Sequence, residues 1–296
     1  MFPGGAALLL ATVVVLIVVV AALAWAVIRR SARIWSAIAP RVARARSWLV
    51  GSTPLVRLRR RYPRALAFIA DRLSLTGYLG LHLTLGLALS LAALVAFSHL
   101  ASEVVLEQEF REFDAVAATV AELLRSPAGD RLFVLVTTLG EPLTWAILSA
   151  VIVLALALRR EWMLAIGWIV AILGSGAVDL TLKVLFQRPR PAGATEFIVG
   201  HSWSFPSGHA MGSLVGYGML AYILILHVRR PAARFAIATG ALILTVAIGV
   251  SRIYLGVHYF TDVIAGYFAG VLWLSVCVTA MELVRRRVPA SPRTLD

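Results

Sequence analysis

Apolar residues follow one another along this chain in long unbroken runs, not in the alternation of a half-buried strand or the three-and-four spacing of a surface helix. The runs cover roughly 6–28, 77–100, 132–158, 162–187, 207–228, 233–252 and 260–283, and each approaches or exceeds the ~20 residues a helix needs to cross hydrocarbon. They predict seven membrane-spanning helices, because in lipid every backbone polar group has to be satisfied within its own segment. The stretch 29–76 separates the first run from the rest. The expected organisation is an N-terminal anchor with a basic segment over 1–76, a module over 77–284 and a basic tail over 285–296. The fold class is all-α: a polytopic membrane helix bundle, a six-helix module plus one extra N-terminal transmembrane helix.

Two segments break this pattern. Ile34, Ile38, Val42, Ala45 and Leu49 recur at helical spacing opposite Arg33, Arg41 and Arg44, which suits either a helix lying on an anionic membrane surface or a solvated basic linker. Residues 101–131 mix Glu103, Glu107, Glu109, Glu112 and Asp114 with Val105, Leu106, Phe110, Phe113 and Val116. They predict an amphipathic helix lying over one mouth of the bundle.

Composition agrees with a membrane protein: 60% of the 296 residues are hydrophobic and 15% charged. The net charge of +13 does not point to nucleic acid, because the arginines cluster beside apolar runs and no nucleic-acid motif accompanies them. Twelve arginines lie in 29–72, and further clusters are Arg159 with Arg160, Arg229 with Arg230 and Arg234, and Arg285 to Arg287. If the spans alternate, all four clusters share one face, which the positive-inside rule makes cytoplasmic. The opposite face then receives 101–131, the loop 188–206 and the turn near 253–259. In the first run the basic cluster follows the apolar residues, which reads as a retained anchor and not a cleaved signal. Cys277, the single cysteine, sits mid-span and offers neither a disulfide nor a cysteine metal site.

Three polar clusters reach that opposite face. Lys183 is the one lysine beside 27 arginines among the 28 basic side chains. It stands inside an apolar run, seven residues before Arg190, nearly two helical turns away. Pro189 and Pro191 predict a helix end near Arg188. An ionised residue within a span costs about 2.5 to 3.5 kcal/mol on insertion scales and so suggests function. The ordinary alternative is a snorkelling side chain paired with Asp179 one turn back. In the second cluster Pro206, Ser207, Gly208 and His209 open the fifth run, where unpaired N–H groups make an anion site; a simple helix cap is the alternative. In the third, His258 and Asp262 are spaced i, i+4, so the carboxylate can hold one imidazole nitrogen and leave the other as nucleophile or base. Arg252, beside Ser251, adds a fork that matches phosphate oxygens. Together these cations suit a transferring phosphoryl group, whose catalysis is mostly positioning and charge stabilisation.

The three clusters resemble the three signatures of the type 2 phosphatidic acid phosphatases, the lipid phosphate phosphatase superfamily that shares its site with vanadium haloperoxidases. The signatures are Lys183 to Arg190-Pro191, Pro206-Ser207-Gly208-His209, and Ser251-Arg252 with His258 and Asp262, in the family's order. Arg188-Pro189 duplicates the Arg-Pro pair, and spacing favours Arg190. The resemblance implies that His258 is the nucleophile, Asp262 its orienting partner and His209 the general acid and then base. Lys183, Arg190, Ser207, Gly208 and Arg252 would hold the phosphate oxygens. It implies no metal and no cofactor. The partners expected are a membrane lipid phosphate and the bilayer, with no nucleic acid.

The expected activity is therefore that of a bacterial inner-membrane phosphatase whose site faces the periplasm. Undecaprenyl diphosphate is the favoured substrate, ahead of phosphatidylglycerol phosphate and phosphatidic acid. Transfer of the phosphoryl group to an acceptor lipid is the alternative at the same site. A non-hydrolytic lipid carrier is disfavoured, because no polar path leads from the clusters to the other face.

Overall fold

The computed structural model describes residues 78–104, 110–192 and 203–287, together with 40, 41 and 44. The predicted first span, the possible surface helix after it, Glu107, Glu109 and the end of the basic tail lie outside the described residues. Among the described residues all regular structure is helical, in eight α-helices: α1 (Tyr78–Ser102), α2 (Arg111–Leu123), α3 (Pro127–Thr138), α4 (Pro142–Leu158), α5 (Trp162–Phe186), α6 (Gly208–His227), α7 (Pro231–Tyr254) and α8 (Phe260–Arg287).

Helices α5, α6, α7 and α8 are each long and apolar enough to cross a membrane. The predicted span 132–158 is instead a broken pair, α3 and α4, bent by 44°. Pro142 starts α4 at its first position, and Glu141 before it is extended at ψ 152, as the residue preceding a proline prefers. The carbonyls released at the break are satisfied by side chains. Thr144 donates to Thr138 O, the Tyr217 hydroxyl to Leu139 O at 2.9 Å and the Trp145 indole to Gly140 O at 3.2 Å.

The single helix expected over 101–131 is also divided, since α1 runs to Ser102 and α3 begins at Pro127 behind the Ser126 cap. Between them α2 packs on α7 and α8 with its polarity reversed from that of a helix in water. Phe113, Val116, Val120 and Leu123 form an exposed stripe while Asp114 is buried. An outward apolar stripe suits lipid, and Leu154, Leu173, Leu180, Val184, Leu185 and Leu242 are exposed in the same manner on the spans.

Helix α6 packs against α5, α7 and α8. Trp168, Val215, Met219 and Ile248 fill the centre without exposure. A second cluster, Phe97, Leu100, Phe205, Met211 and Ala265, joins α1 to the α6 and α8 starts. Phe205 is stacked against Phe97 at 5.9 Å and edge-on to Phe186 at 5.1 Å between ring centroids. This apolar floor, with Leu182 and Phe186 packed on it, brings the C-terminal end of α5 beside the N-terminal ends of α6 and α8, and the short turn after Tyr254 places the end of α7 next to the α8 start. The turns holding Arg159, Arg160, Arg229 and Arg230 lie at the other end of the bundle.

Candidate active site

The third cluster is folded by one turn. After α7 ends at Tyr254, the Arg252 carbonyl accepts from the N–H groups of Val257 and His258 at 3.2 and 3.3 Å, which carries His258 back over Arg252. The His258 Nδ1 atom lies 3.4 Å from Asp262 Oδ2, and Nε2 lies 3.2 Å from Arg190 Nη1. A guanidinium only donates, so Nε2 is the acceptor and Nδ1 carries the proton toward Asp262. That tautomer leaves Nε2 with a lone pair, as a nucleophile requires. Burial pushes the His258 pKa down to about 4, with Asp262 acting the other way and Arg252 and Arg190 adding to the fall.

Asp262 is itself fully buried. Its Oδ2 accepts from the Tyr259 N–H at 2.9 Å and from the Ser204 hydroxyl, while Oδ1 accepts from Arg188. A carboxylate so surrounded at a helix start stays ionised and fixed in orientation.

In the first cluster α5 ends at Phe186, slightly before the predicted end. Gln187 adopts the left-handed conformation, φ 46, and returns its N–H to Lys183 O at 3.0 Å. Lys183 is 8% exposed, and its ammonium lies 2.6 Å from both Asp179 oxygens. The ion pair with the preceding turn is therefore present, and it leaves one of three N–H donors for a ligand. The two Arg-Pro pairs separate in space. Arg190 donates to Val257 O at 2.7 Å beside His258, whereas Arg188 turns away, over the Tyr259 ring at 4.1 Å.

In the second cluster Ser207 caps α6. It is fully buried, accepts from Ala210 N at 3.5 Å through its side chain, and donates its backbone N–H to Asp262 O at 2.9 Å. That one bond ties the α6 start to the α8 start. Gly208 meets the Asp179 carboxylate so closely that an added Cβ would lie 2.7 Å from Oδ2. Any larger residue would displace the partner of Lys183.

His209 lies within electrostatic reach of Arg252, His258, Lys183 and Arg190. Its ring rests on Gly140 in the α3–α4 break, where a Cβ would come within 2.9 Å of Cδ2. Arg252 donates to the Thr137 hydroxyl at 2.7 Å on the same broken pair. The His209 Nε2 and Arg252 Nε atoms are buried and have no hydrogen-bond partner among the described residues. Orphaned donors of this kind are costly unless a ligand completes them, and an anion between three cations would do so.

All eight residues predicted for the site thus meet at one end of the bundle. Sequence reasoning missed Thr137, Gly140, Ser204 and Thr261, and gave no role to Arg188 or Asp114. Pro142 after Gly140 signals a break inside an apolar run, and Ser204 lies two residues before the second signature. A cavity of about 420 Å³ lined by Arg160, Glu161, Trp162, His227 and Arg285 lies at the opposite end. Its His227 pairs with Glu161 at 3.0 Å and its Arg285 with Glu282 at 3.1 Å, so it does not gather donors as the motif residues do.

The model of the PAP2 superfamily matches residues 164–286, which include all three clusters. Phosphatidylglycerophosphatase B of Bacillus subtilis (strain 168) is 29% identical over 182 residues, 58% of this chain and 85% of that protein. The crystal structure of the first transmembrane PAP2-type phosphatidylglycerolphosphate phosphatase, from Bacillus subtilis, is similar with a TM-score of 0.61 at 26% identity. That similarity covers 67% of this chain and 98% of that one.

Proposed function

We propose that this multi-pass membrane chain is a member of the PAP2 superfamily, whose model matches residues 164–286, and that it hydrolyses a lipid phosphate through a phosphohistidine on His258. The observation that carries the proposal is the pair of buried atoms without a partner among the described residues, His209 Nε2 and Arg252 Nε, on side chains within electrostatic reach of His258, whose Nε2 accepts from Arg190. His258 Nε2 attacks phosphorus and the bond to the lipid oxygen breaks, with His209 donating a proton to the leaving oxygen. His209 then takes a proton from water, the water oxygen attacks phosphorus, the P–N bond breaks and inorganic phosphate leaves. Lys183, Arg190, Arg252, the Ser207 hydroxyl and the Gly208 N–H hold the three non-bridging oxygens of the transferring phosphoryl group. Asp262 offsets the positive charge that appears on His258 when it is phosphorylated.

The similarity to a phosphatidylglycerophosphatase favours phosphatidylglycerol phosphate as substrate. Undecaprenyl diphosphate, which the sequence favours on the orientation of the site, and phosphatidic acid also present a terminal phosphate at headgroup depth, the first as an anhydride and the second as an ester. The location proposed is the bacterial cytoplasmic membrane, with the site outward because the arginine turns occupy the other end.

Phosphate release by the detergent-purified protein from each of the three lipids tests both activity and rank. Release is expected to be unchanged in excess chelator, since the charge stabilisation comes from side chains. A strict requirement for added divalent cation would overturn the mechanism.

The position of His258 also sets a pH profile. With its pKa depressed to about 4, the imidazole stays neutral between pH 5 and its ordinary value near 6.5, and nucleophilicity is lost only as pH falls through the lowered value. After correction for substrate ionisation, the acid limb of kcat/KM is expected well below pH 6. Half-loss at pH 6.5 would show an imidazole whose pull from Asp262 outweighs its burial.

A further inference from the structure

Arg188 belongs to none of the phosphate contacts, yet both terminal nitrogens of its guanidinium are bonded to buried carboxylates. One guanidinium nitrogen donates to Asp262 Oδ1 and, at 2.9 Å, to the Thr261 hydroxyl. The other donates to Asp114 Oδ2 at 2.8 Å. Asp114, 4% exposed, in turn accepts from the Thr261 N–H at 2.9 Å and from its hydroxyl at 2.8 Å. The result is a closed ring of charge and hydrogen bonds joining α2 to the first turn of α8, one residue from His258's partner.

We propose that Arg188 and Asp114 are positioning residues for the nucleophile: Asp114 on α2 fixes and partly neutralises Arg188, and Arg188 fixes Asp262, which holds His258. The inference rests on the phosphohistidine reading of the site and extends it to a helix outside the three signatures. Residues that orient a reacting group's partner act by geometry and charge, and small misplacements there cost rate steeply. The groups facing His258 are Asp262 from α8, Arg252 from α7, Arg190 from the α5–α6 connection and His209 from α6, and Arg188 reaches it through Asp262. Arg188 and Asp114 therefore alter the chemical step and leave phosphate binding in place. The chain also connects the nucleophile to the apolar stripe by which α2 meets lipid.

Two near-isosteric variants separate this role from a structural one by the sign of a shift. Asp114→Asn leaves the Arg188 charge uncompensated, which makes the surroundings of His258 more positive and moves its titration to lower pH. Arg188→Gln removes the cation from Asp262, strengthens the pull of that carboxylate on His258 and moves the titration to higher pH. Histidine-labelled protein in detergent, with the His258 resonance assigned by His258→Ala, reads these shifts by NMR without any turnover. In activity, kcat is expected to fall about 10- to 100-fold in both variants with KM within about twofold, whereas Arg190→Gln is expected to raise KM. Shifts of opposite sign with a loss confined to kcat support the proposal. Equal shifts, no shift, or a loss in KM alone would overturn it, as would activity lost only in step with thermal stability. If Asp114→Asn does not fold, Arg188→Gln decides alone: a shift to higher pH with the loss confined to kcat supports the proposal, and no shift or a shift to lower pH overturns it. Wild-type protein that releases no phosphate from any lipid would instead refute the reading of the site, and the titration would still decide the role of Arg188.

Discussion

Replacing His258 with alanine is expected to lower phosphate release by on the order of 10^5- to 10^6-fold, the scale on which covalent catalysis fails when its nucleophile is removed. Arg190, the described residue bonded to His258 Nε2, holds no lone pair and cannot replace it as nucleophile. The fold is expected to survive. Asp262 keeps its bonds to Ser204, Tyr259 N and Arg188, and Arg190 keeps its bond to Val257 O. The cost in stability is then that of one imidazole and its contacts, about 1–3 kcal/mol. Single-turnover phosphate release, run beside thermal unfolding in detergent, checks both halves. Residual activity within tenfold of wild type in a folded variant would remove His258 from the chemistry.

The second large effect concerns His209. In His209→Asn the first step loses its proton donor and the second its base, so release from a lipid ester is expected to fall about 10^2- to 10^4-fold. The two steps respond differently to the leaving group. An aryl phosphate, whose leaving oxygen needs no proton, should still phosphorylate His258, and the phosphoenzyme should accumulate because water is no longer activated. The expected trace is a burst of aryl alcohol equal to the enzyme present, followed by a slow steady rate. A proportional slowing of lipid and aryl substrates with no burst would show that His209 serves the fold by packing on Gly140 and does not transfer protons.

The sequence made the spans readable because lipid permits no other way of satisfying a backbone, and long apolar runs follow from that. It made the eight residues that meet at this end of the bundle conspicuous, because cations, a paired imidazole and a helix start stand out in an apolar chain, and these are what the proposed phosphoryl transfer would demand. What it hid were features that depend on distance. The run 132–158 looks continuous, and only the carbonyls taken up by Tyr217, Trp145 and Thr144 make its break stable. Asp114 reads as one acid among several in an amphipathic stretch. It becomes the buried partner of Arg188 because α2 turns its apolar stripe outward to lipid, an inversion that composition leaves open. The duplicate Arg-Pro pairs show the same limit. Spacing favours Arg190, but the separate task of Arg188 appears only when Asp262 and Asp114 are brought to either side of its guanidinium.

The central claim is a covalent phosphoryl group on His258. It is tested most directly by quenching His209→Asn during turnover of an aryl phosphate into alkali, which preserves phosphohistidine, and mapping the modified peptide by mass spectrometry. The account predicts one phosphoryl group per chain, on His258, that disappears in acid and is absent from the His209→Asn/His258→Ala double variant. A phosphoryl group on any other residue, or turnover with no adduct at all, would contradict it.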